Sequence, residues 1–210
     1  MYIPKHFLAT EKEEIISFMK RYSFATLVTI NNDRSEATHL PFVIKESDSK
    51  LIILSHFAKA NPQATSIDNA EALVIFSEPH AYISPKHYEK EANVPTWNYI
   101  AVHAYGKAKI IADEDRVSEL LQAMIINYES DYLKQWQSLP QDYKSKMIKG
   151  IVAFEIEVYD LQAKNKLSQN RSVQERDNII NALSTSSENT EKDIAAYMAE
   201  IKNHSSEPKG

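Results

Sequence analysis

The sequence has 210 residues, 43% apolar and 25% charged, which is enough to bury a proper core as one sizeable domain or two small ones. Its 24 Lys and Arg stand against 29 Asp and Glu, a formal net charge of −5, which argues against a large phosphate-neutralising surface but leaves room for a compact basic patch. Cysteine is absent and glycine occurs only three times, which removes disulfides, thiolate metal sites, thiol nucleophiles, the GxGxxG loop of Rossmann dehydrogenases and the P-loop together.

The chain opens Met1-Tyr2-Ile3-Pro4-Lys5-His6, without the apolar run of a signal peptide. No stretch approaches the roughly 18 apolar residues of a membrane span. With zero Cys, this reads as a cytoplasmic protein with no membrane partner. Thr10-x-x-Glu13 is a capping box opening a helix to about Tyr22, with Ile15, Phe18, Met19 and Tyr22 on its apolar face. Phe24 to Ile30 predicts a strand, closed by Asn31-Asn32-Asp33. Ala37 to Ile44 predicts a second, interrupted at Pro41. A turn at Glu46 to Ser49 leads to a third strand, Leu51 to Ser55. Two short strands, Ala72–Ser77 and Ala81–Ser84, flank Glu78-Pro79. Tyr99 to Ile111 predicts a long strand, with Gly106 marking a bulge or a close approach of backbones. Asp113 is placed to cap a helix through Val117, Leu120, Leu121, Met124 and Tyr128. Alternation at Val152, Phe154, Ile156 and Val158 predicts a strand with one wet face. Ser172 to Leu183 reads helical, Ser184 to Thr190 as polar linker, and Glu191 to Lys202 as a last helix before a frayed end. Short turns between strands favour an antiparallel barrel over a βαβ sheet. The expectation is a mainly β domain with peripheral helices over residues 1–183, followed by a linker and C-terminal helix over 184–210.

Three segments could carry chemistry. In Ser55-His56-Phe57-Ala58-Lys59-Ala60-Asn61-Pro62 a strand end meets an Asn-Pro helix start, where free N–H groups favour an anion. The segment reads either as a phosphate pocket or as a capped helix beside a solvated lysine. Tyr82 to Tyr88 and Val94-Pro95-Thr96-Trp97-Asn98-Tyr99 are aromatic, proline-containing loops. They could stack a flat ring, or anchor the barrel core. Lys166-Leu167-Ser168-Gln169-Asn170-Arg171 follows the last strand; it could cap the next helix or offer donors to a ligand edge. The seven histidines form no H-x3-H or HExxH pair, so no metal site is expected, and no G-x-S-x-G is present.

Taken in order, MYIPKHF, HFAKANP, YISP-x-x-Y, VPTWNY, HAYG and KLSQNR resemble the PaiB-type FMN-binding negative transcriptional regulators over about residues 1–183. The resemblance implies an FMN-binding split β-barrel, pyridoxamine-phosphate-oxidase-like, usually a homodimer with FMN at the subunit interface. It implies that Ala25, Thr26, Leu27 and Val28 lie along the flavin ring. Ser55, His56, Lys59 and Asn61 fall at the FMN phosphate, and Thr96, Trp97 and Asn98 at the ring or ribityl chain. Lys166, Ser168, Gln169 and Arg171 close the site. The chain departs from the family at Arg176 to Asn181, where relatives often carry glycines. The implied role is negative regulation of transcription. Alternatives are an FMN-dependent oxidoreductase or flavin reductase, and a haem-binding barrel. The charge, and the lack of any segment pairing a short turn with a basic recognition helix, argue against direct reading of DNA.

Overall fold

A computed structural model describes residues 1–47 and 50–204, with side chains through residue 201. Asp48 and Ser49 of the expected turn, and the end expected to fray, lie outside the described residues. In chain order the elements are α1 (Lys12–Arg21), β1 (Phe24–Asn31), β2 (Arg34–Pro41), β3 (Val43–Ser47), β4 (Lys50–Ala58), β5 (Glu71–Phe76), β6 (His80–Ile83), β7 (Thr96–Ile110), α2 (Glu114–Glu129), α3 (Tyr132–Ser138), α4 (Gln141–Lys149), β8 (Ile151–Lys166), α5 (Val173–Ser184) and α6 (Asn189–His204). Single 3-10 turns stand at Lys5–Phe7, Pro62–Thr65 and Pro85–His87. The strands form one sheet in the order β2-β1-β5-β7-β8-β4-β3, with β6 paired to β7. This is the mainly β, helix-flanked split barrel expected from the sequence.

The chain divides into two compact units. The sheet unit comprises Lys12–Phe76 and His103–Leu161; the terminal unit comprises Met1–Glu11, Ser77–Val102 and the chain from Gln162 onward. Strands β7 and β8 each contribute residues to both.

In the sheet unit, β1 alternates buried Ala25, Leu27 and Thr29 with partly exposed Thr26 and Val28. That period of two is what a half-buried antiparallel strand requires. The expected single strand Ala37–Ile44 is two strands. Pro41 has no N–H to continue a ladder, so β2 ends there. Phe42, fully buried, turns inward with its N–H donating to Ser23 O at 2.8 Å. β3 then joins the opposite end of the strand order, while β2 also approaches β4, which closes the path. β4 runs on to Ala58, so Ser55 and His56 are mid-strand residues rather than a strand end.

Gly106 is the close-approach point: a Cβ there would lie 2.4 Å from Glu157 O and 2.5 Å from Ile156 Cγ2. Asp113 caps α2, its carboxylate accepting from Arg116 N at 2.9 Å. Leu120 and Met124 of α2 pack with Val43, Leu54, Ile111, Val117 and Ala153 into an apolar cluster that covers one end of β4 and β8. Two further helices, α3 and α4, stand between α2 and β8. They are joined by only Leu139 and Pro140, and α4 carries Lys144, Lys146 and Lys149, so a short turn before a basic helix does exist.

In the terminal unit β6 pairs with the first residues of β7, from His80↔Tyr99 to Ile83↔Thr96. Ser172 caps α5, accepting from Glu175 N at 3.2 Å. α6 packs on α5 and β6 through Ile194, Ala195 and Met198, so residues 184–201 belong to the same unit as 162–183. No helix among the described residues is long and apolar enough to cross a membrane.

Candidate functional site

The candidate residues fall into two groups, one in each unit. In the sheet unit, Ser55 is fully buried and its Oγ donates to Pro41 O at 2.7 Å. Asn61 caps the Pro62–Thr65 turn: its Oδ1 accepts from Gln63 N at 2.9 Å while its Nδ2 donates to Thr38 Oγ1 at 3.1 Å. Gln63, also buried, donates to Thr29 Oγ1 and Glu36 O and accepts from Thr38 Oγ1. The network is closed on itself, which is what a buried polar cluster needs to be stable. It also means that Ser55 and Asn61 already serve as internal ties. The helix start expected at Pro62 is one 3-10 turn of four residues, too short to build a dipole at its N-terminus.

Two groups in this segment remain for a ligand. Lys59 is exposed. The Nδ1 of His56 is buried and has no hydrogen-bond partner, and burial holds the imidazole below its ordinary pKa, so it is neutral near pH 7. On β1, Thr26 to Thr29 pair with β2 on one edge and β5 on the other. Their backbone groups are therefore committed to the sheet, and the partly exposed side chains of Thr26 and Val28 form the surface a ring could lie on. Ala25 lies one residue beyond the β5 register and pairs only with Leu40 of β2.

The terminal unit brings most of its candidates together. Lys166, the last residue of β8, donates to both Thr96 Oγ1 and Trp97 O. Ser168 is buried at φ 59°, in the left-handed region that costs a non-glycine residue about 1–2 kcal/mol. Its Oγ donates to Asn98 Oδ1 at 3.1 Å, and Asn98 Nδ2 reaches Met198 Sδ at 3.4 Å. Gln169 closes the turn from within, Oε1 accepting from Leu167 N and Nε2 donating to Asn165 O. The Arg171 guanidinium lies 3.8 Å over the Tyr88 ring and donates to Asn93 Oδ1 at 2.9 Å. These residues border a cavity of about 200 Å³ lined by Thr96, Asn98, Lys166, Ser168, Asn170 and Arg171 against apolar Phe7, Val94 and Pro95. Trp97 is 52% exposed, edge-on to Tyr82 at 5.8 Å. It is a surface aromatic rather than a core anchor.

Lys164 opens the same positively charged cluster that runs to Arg171, and because it stands two residues before Lys166 on a strand the two share a face. Lys164 is 7% exposed, donates to Tyr2 O, and has its ammonium 5.1 Å from the Tyr99 ring centroid. Burial first, and then the charges of Lys164 and Arg171, hold the Lys166 ammonium below its ordinary pKa. Among the described residues none of these three cations forms an ion pair with a carboxylate. Uncompensated cations beside a cavity and an exposed Trp–Tyr pair are the donor set that a phosphate and a flat ring would need, so the residues present fit FMN.

The fold and these sites define a flavin-type split barrel. The chain belongs to the family described as "Putative FMN-binding domain", whose model matches residues 1–160, and this supports FMN as the cofactor. It is 44% identical over 204 residues to the protease synthase and sporulation protein PAI 2 of Bacillus subtilis, covering 96% of each chain. Among solved structures it is similar in fold to the flavocytochrome Anf3 from Azotobacter vinelandii, at TM-score 0.63 and 15% identity over 78% of this chain and 72% of that one. The FAD and haem binding protein from Mycobacterium smegmatis matches at TM-score 0.60 and 14% identity, over 75% of this chain and 72% of that one.

Proposed function

We propose that this chain is an FMN-binding, PaiB-like regulator that lowers transcription of target genes, and that it works as a homodimer in the cytoplasm. The observation that carries the flavin part is that Lys164, Lys166 and Arg171 form no ion pair with a carboxylate among the described residues, in a chain whose first 160 residues match an FMN-binding family. Thr96, Trp97, Lys166, Ser168 and Arg171 hold the cofactor from the terminal unit, with Asn98 and Gln169 fixing their positions. In the sheet unit, Thr26, His56 and Lys59 are a separate set of candidate contacts. Bound FMN supplies reversible one- and two-electron chemistry. The regulatory part is supported by the relationship to PAI 2, whose name reads protease synthase and sporulation protein. The dimer is supported by the outward side chains of β1, where Phe24 is 65% and Ile30 70% exposed. Apolar side chains lined up on one strand face are better covered by a second copy than by water.

The test is an absorption spectrum of pure protein before and after added FMN, with light scattering on both samples. A flavin spectrum with a mass of two chains supports the reading. No flavin uptake at micromolar FMN overturns it. Reduction of the bound flavin by NAD(P)H would turn the function toward an oxidoreductase, and a Soret band on haem titration toward haem handling.

A further inference from the structure

We propose that a second cavity, on the sheet face shared by β4, β8 and β7, binds a small organic acid that carries an apolar ring, with Lys107 and Lys109 as partners of its carboxylate and Tyr159 beside its ring. The inference goes beyond the flavin reading and uses none of the residues assigned to it. Three observations lead there.

The first is room. The cavity has a volume of about 360 Å³ and lies wholly in the sheet unit. Sites for small molecules begin at about 300 Å³. β8 stands between β7 and β4 in the strand order, and Ile52 of β4 is paired with Glu157 of β8. Side chains two apart on a strand share a face. Lys107 and Lys109 of β7 therefore line the cavity together, as do Glu155, Glu157 and Tyr159 of β8.

The second is charge. Each carboxylate in the lining already has its own cation: Arg116 Nη2 lies 2.7 Å from Glu155 Oε2, and Lys50 Nζ lies 2.9 Å from Glu157 Oε1. The acids close by are engaged as well. Asp68 Oδ1 accepts from Ile110 N at 3.0 Å, and Glu71 Oε2 accepts from Tyr159 OH at 2.6 Å. Lys107 and Lys109, by contrast, form no ion pair among the described residues. Their ammonium groups are what the cavity offers a ligand, and a carboxylate turns them into charge-assisted hydrogen bonds, about twice as strong as neutral ones.

The third is an ordered, partly apolar lining. Ile52 and Ala108 supply aliphatic surface, and the Tyr159 side chain, on a residue 66% exposed, is held by its bond to Glu71. That bond raises the phenol pKa above its ordinary 10, so the ring stays a neutral wall near pH 7. Asn69, at φ 58°, pins the loop before β5 onto β7: its N donates to Ala108 O at 2.9 Å, and Ala108 N donates to Ala70 O at 3.0 Å. An inorganic anion would use the lysines and leave this apolar surface in water. An acid with a ring covers both.

The experiment uses the full chain and four probes, titrated by backbone amide shifts: phenylacetate, phenylacetamide (the ring without the charge), acetate (the charge without the ring) and 2-phenylethylamine (the opposite charge). Phenylacetate is expected to bind with Kd of about 1 mM or tighter and to shift residues 107–109 and 155–159. The other three should bind at least about tenfold more weakly. Lys107→Gln/Lys109→Gln should lower phenylacetate affinity about tenfold or more and leave FMN uptake within about twofold. Should the double variant fail to fold, each single variant is read the same way. No shift at about 10 mM phenylacetate, or equal affinity for phenylacetamide, overturns the proposal. The titration is repeated at saturating FMN. Displacement of phenylacetate there would place the acid in the flavin site, overturning this proposal while upholding the flavin reading. Phenylacetate binding in a chain that takes up no FMN would do the reverse.

Discussion

Ser55 Oγ donates to Pro41 O at 2.7 Å, tying the middle of β4 to the last residue of β2. Pro41 has no N–H, the chain turns inward at Phe42, and this buried hydroxyl satisfies the carbonyl left at the break. Ser55→Ala is expected to lower stability by about 1–3 kcal/mol, the cost of a buried acceptor left alone. Urea denaturation measures it. FMN affinity of the folded variant should stay within about twofold of wild type; a large loss of affinity at unchanged stability would return Ser55 to the ligand.

Gly106→Ala should be strongly destabilising. The new methyl would meet the Glu157 carbonyl at 2.4 Å, and a backbone atom inside a sheet cannot swing aside as a side-chain tip can. Forced overpacking costs about 1–3 kcal/mol or more. A fall in the denaturation midpoint is expected. An unchanged midpoint would mean that β7 and β8 separate at no cost there.

Much of this fold was legible in the sequence, for identifiable reasons. The N-cap Asp113, the helix from Ser172 and the alternation at Phe154 and Ile156 of β8 are local signals, decided within a few residues, whereas Ala153, expected on the wet face, is buried under α2. The break at Pro41–Phe42 was not legible, because only tertiary pairing shows that β2 and β3 go to opposite ends of the sheet. The helices α3 and α4 were hidden by weak periodicity; α4 buries no residue fully. Within the site, the Lys166 to Arg171 cluster was visible as composition. The partners that orient it, Asn93 and Tyr88, are more than seventy positions away in the chain. The helix start at Asn61-Pro62 was read correctly as a cap, but its four-residue length could not be seen from the cap alone.

Stability should fall on acidification. Burial holds both His56 and His103 below their ordinary pKa of 6.5. The unfolded chain therefore binds more protons in the window below 6.5. Folded stability is fully present above that value and is lost progressively as the pH drops through it. Urea midpoints from about pH 7.5 to about pH 5 would show this. His56→Leu, which cannot be protonated, should flatten the slope; an unchanged slope would remove His56 as a source.

DNA binding should be weak and without sequence preference, so that any effect on transcription runs through a partner. The net charge of −5 opposes long-range steering toward a polyanion. Whatever affinity exists is expected to reside on α4, which has lysines at 144, 146 and 149 and follows a two-residue link. The double variant Lys146→Glu/Lys149→Glu should abolish a residual gel shift and flatten its salt dependence. Nanomolar binding retained over excess random DNA would instead show direct sequence readout.

The terminal unit is assembled from both ends of the chain and a middle segment, whereas everything in the sheet unit lies between Lys12 and Leu161. Leu161, the last residue of the sheet unit, is translated just before Gln162, where the closing segment of the terminal unit begins. Leu8 and Ala9 are translated long before their partners, because Leu8 bridges to Lys164 and Ala9 N donates to Ala163 O at 3.1 Å. The N-terminal eleven residues must therefore wait, unpaired, for more than 150 further residues to be translated. Nascent chains that have cleared the ribosome only as far as Leu161 should thus protect the sheet unit from protease while leaving residues 1–11 open to it, so that the terminal unit completes itself on a sheet already in place.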